Sequence, residues 1–253
     1  MRNRAGIKLY LTSKYKKFKT YFGKKEYKVE KLKRYEVFMA GLFVSSLGVS
    51  FVTKADLGTS PISSIPYTLS LKYDMTLGEF TIAFSLLLIL FQIAILRKRF
   101  RKESLLQIPV SVLFGYFIDL TMLLINWVNP GAYIMKIIML LAGCIILGFG
   151  VYLEVLANVV MLPGEAFVQA VTLTWKKEFG PTKVVFDASM TIMAGIISFV
   201  IFQEIQGVRE GTVVAALVVG FVAKFFGKRL GFMEKILFTT ATEKEHDKLI
   251  ENV

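Results

Sequence analysis

With 253 residues, 55% of them hydrophobic, and a mean hydropathy of +0.58, the chain is more apolar than a soluble domain, for which about 45–50% is usual. Its net charge of +12 would suit a nucleic-acid partner, but residues 1–34 hold 13 Lys and Arg against two Glu. The positive excess therefore belongs to one tail, and a DNA- or RNA-binding body is excluded.

That tail, residues 1–35, carries Ile7, Leu11, Tyr15, Phe18 and Phe22 at three- and four-residue spacing among lysines, which fits either an interfacial helix or a disordered basic arm. In both readings its partner is anionic lipid. Its basic region is too long for a cleavable signal peptide.

Six apolar runs follow, at about 37–53, 77–96, 105–127, 133–156, 182–202 and 211–226, each with the length and hydropathy of a membrane span. Arg97, Lys98, Arg99, Arg101 and Lys102 after the second run, Lys176 and Lys177 before the fifth, and Lys228 and Arg229 after the sixth mark one side. By the positive-inside rule that side is cytoplasmic, as are both termini, in a multi-pass plasma-membrane protein. A polar tail, 231–253, contains the only histidine, His246, and Cys144 is the only cysteine. No intrachain disulfide or cysteine-built metal site is possible, and a proton relay would have to use carboxylates.

Two breaks interrupt the apolar pattern. One centres on Leu57-Gly58-Thr59-Ser60-Pro61, the other on Leu162-Pro163-Gly164-Glu165. Ala40-Gly41 and Gly48 recur as Ala142-Gly143 and Gly150, 102 residues on, and Gly115 recurs as Gly220, 105 residues on. Each unit holds three spans, an odd number, so a second copy enters the membrane upside down. The expected fold is an all-α membrane protein of six transmembrane helices in a domain covering 36–230, built as two inverted three-helix repeats (36–128 and 132–228), each with an interrupted or re-entrant segment.

The lead-in Ala40-Gly41 to Gly48, the Leu57 to Pro61 break and the stretch from Glu210-Gly211-Thr212 to Gly220 resemble the YczE/YyaS/YitT family of bacterial multi-pass membrane proteins over residues 36–230. The resemblance implies a six-span plasma-membrane protein of a kind described as a candidate transporter, with no family catalytic motif.

Among polar residues, Ser60-Pro61 reads as an N-cap and first-turn proline, either opening a re-entrant half-helix whose free N–H groups attract anions or capping a plain surface loop. Pro163 opens a second such helix with Glu165 in its first turn. Gly58, Thr59, Ser60, Pro61, Pro163, Gly164 and Glu165 are therefore the expected substrate-binding set. Thr76 and Glu79 fit a capping box, and Lys183 and Asp187, four apart, fit a local pair. Asp119, Asp187 and Glu154 are the intramembrane acids. At about 1.5 Å per residue Asp119 lies too deep to snorkel, so it faces protein or a water-filled cavity.

These features favour a secondary transporter of a small polar or anionic solute, with a proton or cation as coupling ion. The alternative is a non-transporting membrane protein such as an assembly factor, sensor or lipid-organising subunit. The spans contain no histidine, H-E-x-x-H, G-x-S-x-G or nucleotide-binding motif, so an enzyme is not expected. No cofactor or metal is expected, and a homo-oligomer is left open.

Overall fold

A computed structural model describes residues 30–238. The tail's proposed interfacial helix and His246 fall outside that range. The described residues form nine α-helices and three short 3-10 turns, without strands. Six helices are long and apolar enough to cross a membrane: α1 (Glu30–Lys54), α3 (Leu77–Leu96), α4 (Gln107–Leu124), α5 (Tyr133–Ala157), α7 (Phe179–Phe202) and α8 (Glu210–Arg229). Three are short: α2 (Ser64–Ser70), entered through a 3-10 turn at Pro61–Ser63, α6 (Pro163–Trp175) and α9 (Phe232–Phe238).

The side chains are sorted for lipid. Leu90, Leu123, Ile134, Val184, Leu217 and Phe221 point outward, while Ser45, Ser46, Ser50, Thr53, Thr121 and Thr212 are buried. Association between helices in lipid gains little from the hydrophobic effect, so close backbone approach and internal hydrogen bonds take over. The Ser50 hydroxyl bonds Thr121 Oγ1 on α4 at 2.8 Å, and Thr53 Oγ1 lies 2.8 Å from Thr59 Oγ1.

The centre is the antiparallel pair α1 and α5, and glycines set its spacing. A Cβ on Gly41 would lie 3.0 Å from the Glu154 backbone nitrogen, and one on Gly143 would lie 2.7 Å from that of Val52. Gly48 meets the Leu147 backbone, and Gly150 meets Ser45. These glycine contacts are reciprocal: Gly41 on Glu154 is answered by Gly143 on Val52, and Gly48 on Leu147 by Gly150 on Ser45, each residue 102 from its counterpart.

Around this pair, α2 packs on α3 and α7, and α6 on the same two helices. At roughly 1.5 Å per residue, thirteen-residue α6 is about 20 Å long, short of a ~30 Å hydrocarbon layer. The 3-10 turn leading into α2 begins at Pro61 and α6 begins at Pro163, 102 residues later. Each proline occupies a position where its missing N–H costs nothing and its fixed φ suits the turn.

The expected capping box is present: Thr76 Oγ1 accepts from Glu79 N, and the Glu79 carboxylate accepts from Thr76 N. The turn connecting α4 to α5 contains Asn129-Pro130-Gly131.

Candidate functional site: a cavity between the two breaks

The two breaks meet inside the bundle. Pro163 and Gly164 at the tip of α6, and Ser60, Pro61 and Ser63 at the entry to α2, are all buried. A Cβ on Gly164 would overlap the Ile62 side chain, so one tip rests directly on the other. The α6 tip is held by Gln92 of α3, which donates to the Pro163 carbonyl at 3.1 Å and pairs by its amide with Gln107 of α4.

Between the tips and the long helices lies a cavity of about 350 Å³, within the size range of small-molecule sites. Its lining includes nine pairs of residues spaced 102 apart: Ser45 and Leu147, Val49 and Val151, Ser60 and Leu162, Pro61 and Pro163, Ile62 and Gly164, Ser63 and Glu165, Thr81 and Lys183, Ser85 and Asp187, Phe114 and Ala216. The two sides differ chemically. Where the first half presents the hydroxyls of Ser63, Thr81 and Ser85, the second presents Glu165, Lys183 and Asp187.

Lys183 and Asp187 form the expected ion pair along one face of α7. Glu165 has no ion-pair partner among the described residues. Together with Leu162 it also lines a second cavity of about 430 Å³, bounded by Arg101, Glu103 and Asn158 at the end of the bundle where α3 passes to α4. The first turn of α6 is thus the partition between the two spaces. Glu154 faces this second cavity, and its carboxylate accepts a hydrogen bond from Ser45.

Of the residues expected to bind substrate, Ser60, Pro61, Pro163, Gly164 and Glu165 line the central cavity, and of the expected acids Asp187 joins them. Gly58 and Thr59 do not. Gly58 has φ +107°, which glycine tolerates and other residues rarely adopt, and its missing side chain makes room for Thr212 of α8. Thr59 N donates to Thr212 Oγ1 at 3.2 Å, and Gly211 N to the Leu57 carbonyl at 2.8 Å. Their role is to lock the first break onto the start of α8.

Asp119 lies outside both cavities. Its carboxylate accepts from Gly78 N at 2.8 Å and from Thr76 Oγ1 at 2.7 Å, satisfying backbone and cap groups that the start of α3 leaves free. Of the two surroundings expected for Asp119, protein or a water-filled cavity, its hydrogen-bond partners are those of a helix end. Ser63, Thr81 and Ser85 were not singled out from the sequence; the 102-residue spacing from Glu165, Lys183 and Asp187 is the signal that would have found them.

A family model, described as a family of unknown function (DUF6198), matches residues 32–228. The chain belongs to DUF6198. It is 28% identical over 124 residues to an uncharacterized protein, YyaS, of Bacillus subtilis (strain 168), a match covering 48% of this chain and 60% of that protein. It is also 26% identical over 207 residues to the uncharacterized membrane protein YczE of the same organism, covering 78% of this chain and 87% of that one. No solved structure matches. With six apolar spans and a relative named as a membrane protein, this DUF6198 chain is a multi-pass membrane protein.

The motifs that carried the resemblance meet in space. Leu57-Gly58-Thr59 interlocks with Gly211-Thr212, and Gly41 and Gly48 seat α1 on α5. They are joints of the scaffold around the cavity.

Proposed function

We propose that the chain is a secondary transporter of a small polar solute across the plasma membrane, built as two inverted repeats, with both termini cytoplasmic and the basic N-terminal tail on anionic lipid. The observation that carries this reading is the cavity whose lining residues recur 102 apart, drawn from both breaks and from equivalent helices. Inverted-repeat carriers bind at the interface of their two units, where interrupted helices leave backbone and polar groups free to face a solute instead of lipid.

A difference between the halves suggests how such a carrier would move. In the first half Gly78 and Gly115 bring α3 and α4 into backbone contact. Their counterparts Gly180 and Gly220 would meet nothing within 4 Å if each carried a Cβ, and α3 with α4 is extensively packed where α7 with α8 is not. Alternating access then consists of exchanging these two arrangements: the α7–α8 seam closes on Gly180 and Gly220 while the α3–α4 seam opens. No chemical transformation of the solute is proposed, and coupling is assigned to Glu165, which faces both cavities.

Metabolite profiling of a deletion strain against a complemented strain tests the reading. A solute that accumulates on one side of the membrane only in the deletion supports transport. An unchanged profile with altered assembly of another membrane protein would replace it with the assembly-factor reading.

A further inference from the structure

The cavity's charges give the solute a sign. Glu165 and Asp187 supply two carboxylates against the single ammonium of Lys183, which Asp187 already engages. Glu165 is therefore the charge left over; the first turn of α6 offsets part of it, and the rest is relieved by a proton or by a cation that visits the cavity. Across the cavity Ser85 is 9% exposed, lines the same space and has no hydrogen-bond partner among the described residues. Its oxygen is open to the cavity, since Thr68 Oγ1 is the one fully buried side-chain oxygen without a partner among the described residues, and a hydroxyl so placed can bond a solute there.

The anionic group expected at the first break finds no corresponding site. The chain there forms a three-residue turn leading into a seven-residue helix, too short to present a developed dipole. The Ser60 hydroxyl is donated to Ser63 at 2.9 Å. Most of the remaining lining is apolar and includes the rings of Phe84 and Phe114, which would attract a cation and exclude an anion. The cavity is also far larger than a bare ion needs.

Resting on the transport reading, we infer that this cavity takes a small organic cation, a primary ammonium carried on an apolar body. Glu165 pairs with the ammonium, Ser85 offers a neutral polar contact within the same cavity, and the apolar body occupies the space lined by Phe84 and Phe114. Specificity then comes from sign first and size second, since an anion of the same shape would meet an unpaired carboxylate.

The test uses three probes of nearly one shape, benzylammonium, benzyl alcohol and benzoate, with the full-length purified protein in nanodiscs and saturation-transfer NMR as readout. Benzylammonium is expected to bind at least tenfold more tightly than benzoate. Glu165→Gln should abolish that preference and weaken benzylammonium by tenfold or more, Glu165→Asp should restore most of it, and Ser85→Ala should cost about threefold. Size-exclusion profile and thermal unfolding establish that each variant is folded; a misfolded Glu165→Gln leaves the decision to the probe comparison on wild type. Equal or tighter binding of benzoate, no binding of benzylammonium, indifference of a folded Glu165→Gln, or displacement by equimolar Na⁺ would each overturn the inference. Failure of the transport reading looks different: benzylammonium binds with these preferences, yet proteoliposomes take up no labelled amine.

Discussion

The Gly115 carbonyl oxygen occupies the place that a Cβ on Gly78 would need. Two helices in a membrane approach this closely only where neither has a side chain, and the approach brings α3 onto α4 with Asp119 bonded to Gly78 N at its edge. The counterparts Gly180 and Gly220 are open.

Stability should follow that difference. Gly78→Ala should lower stability by about 1–3 kcal/mol, because the obstacle is backbone and cannot rotate away. Gly180→Ala and Gly220→Ala should change it by less than about 0.5 kcal/mol. Thermal unfolding in detergent measures all three, and equal effects would remove the asymmetry as an explanation.

The open seam should close at times if the protein alternates. In a Cys144→Ala background, the double variant Gly180→Cys, Gly220→Cys should form an intramolecular disulfide in membranes under mild oxidation. Two cysteines that react freely with a maleimide but never with each other would mean that the α7–α8 gap is permanent.

Asp119 should behave as a structural residue. Asp119→Ala removes the acceptor for Gly78 N and Thr76 Oγ1 and should cost roughly 1–3 kcal/mol, read as a lower unfolding temperature. Asp119→Asn, which keeps one acceptor oxygen, should cost less. Loss of solute handling in Asp119→Asn at full stability would instead make it a coupling acid.

The two glycines of the breaks should separate. Gly58→Ala places a side chain at φ +107° against Thr212 and should destabilise by about 1–3 kcal/mol. Gly164→Ala meets only the end of the Ile62 side chain, which can rotate, so folding should survive while the cavity narrows. The measurement is unfolding temperature beside ligand binding, and a fully stable Gly58→Ala would contradict the joint described between Leu57-Gly58-Thr59 and α8.

Topology is checked with single cysteines in the same Cys144→Ala background. Lys72→Cys should react with an impermeant thiol reagent outside intact cells, whereas Arg99→Cys and Lys177→Cys should not. Outside labelling at position 177 would end the inverted-repeat reading.

The six spans were legible from the sequence because membrane insertion is a local demand: a run of apolar residues must match the hydrocarbon thickness whatever else the chain does. Leu77–Leu96 was placed to the residue, helped by Thr76 and Glu79 at its start. The proline openings at Pro61 and Pro163 and the Lys183–Asp187 pair were equally readable, since each depends on residues within four positions.

Tertiary structure alone decided what each polar residue faces. Gly58 and Ser60 stand two positions apart in one motif, yet the first is filled by Thr212 and the second opens on the cavity. Asp119 and Asp187 are both acids within spans, but one meets a helix end 41 residues back and the other lines the central cavity beside Lys183. Ser85 reads as one more hydroxyl in an apolar helix until the two breaks are brought together. Hydropathy fixes depth along a helix but not rotation about its axis, and rotation is set by which helix packs beside it.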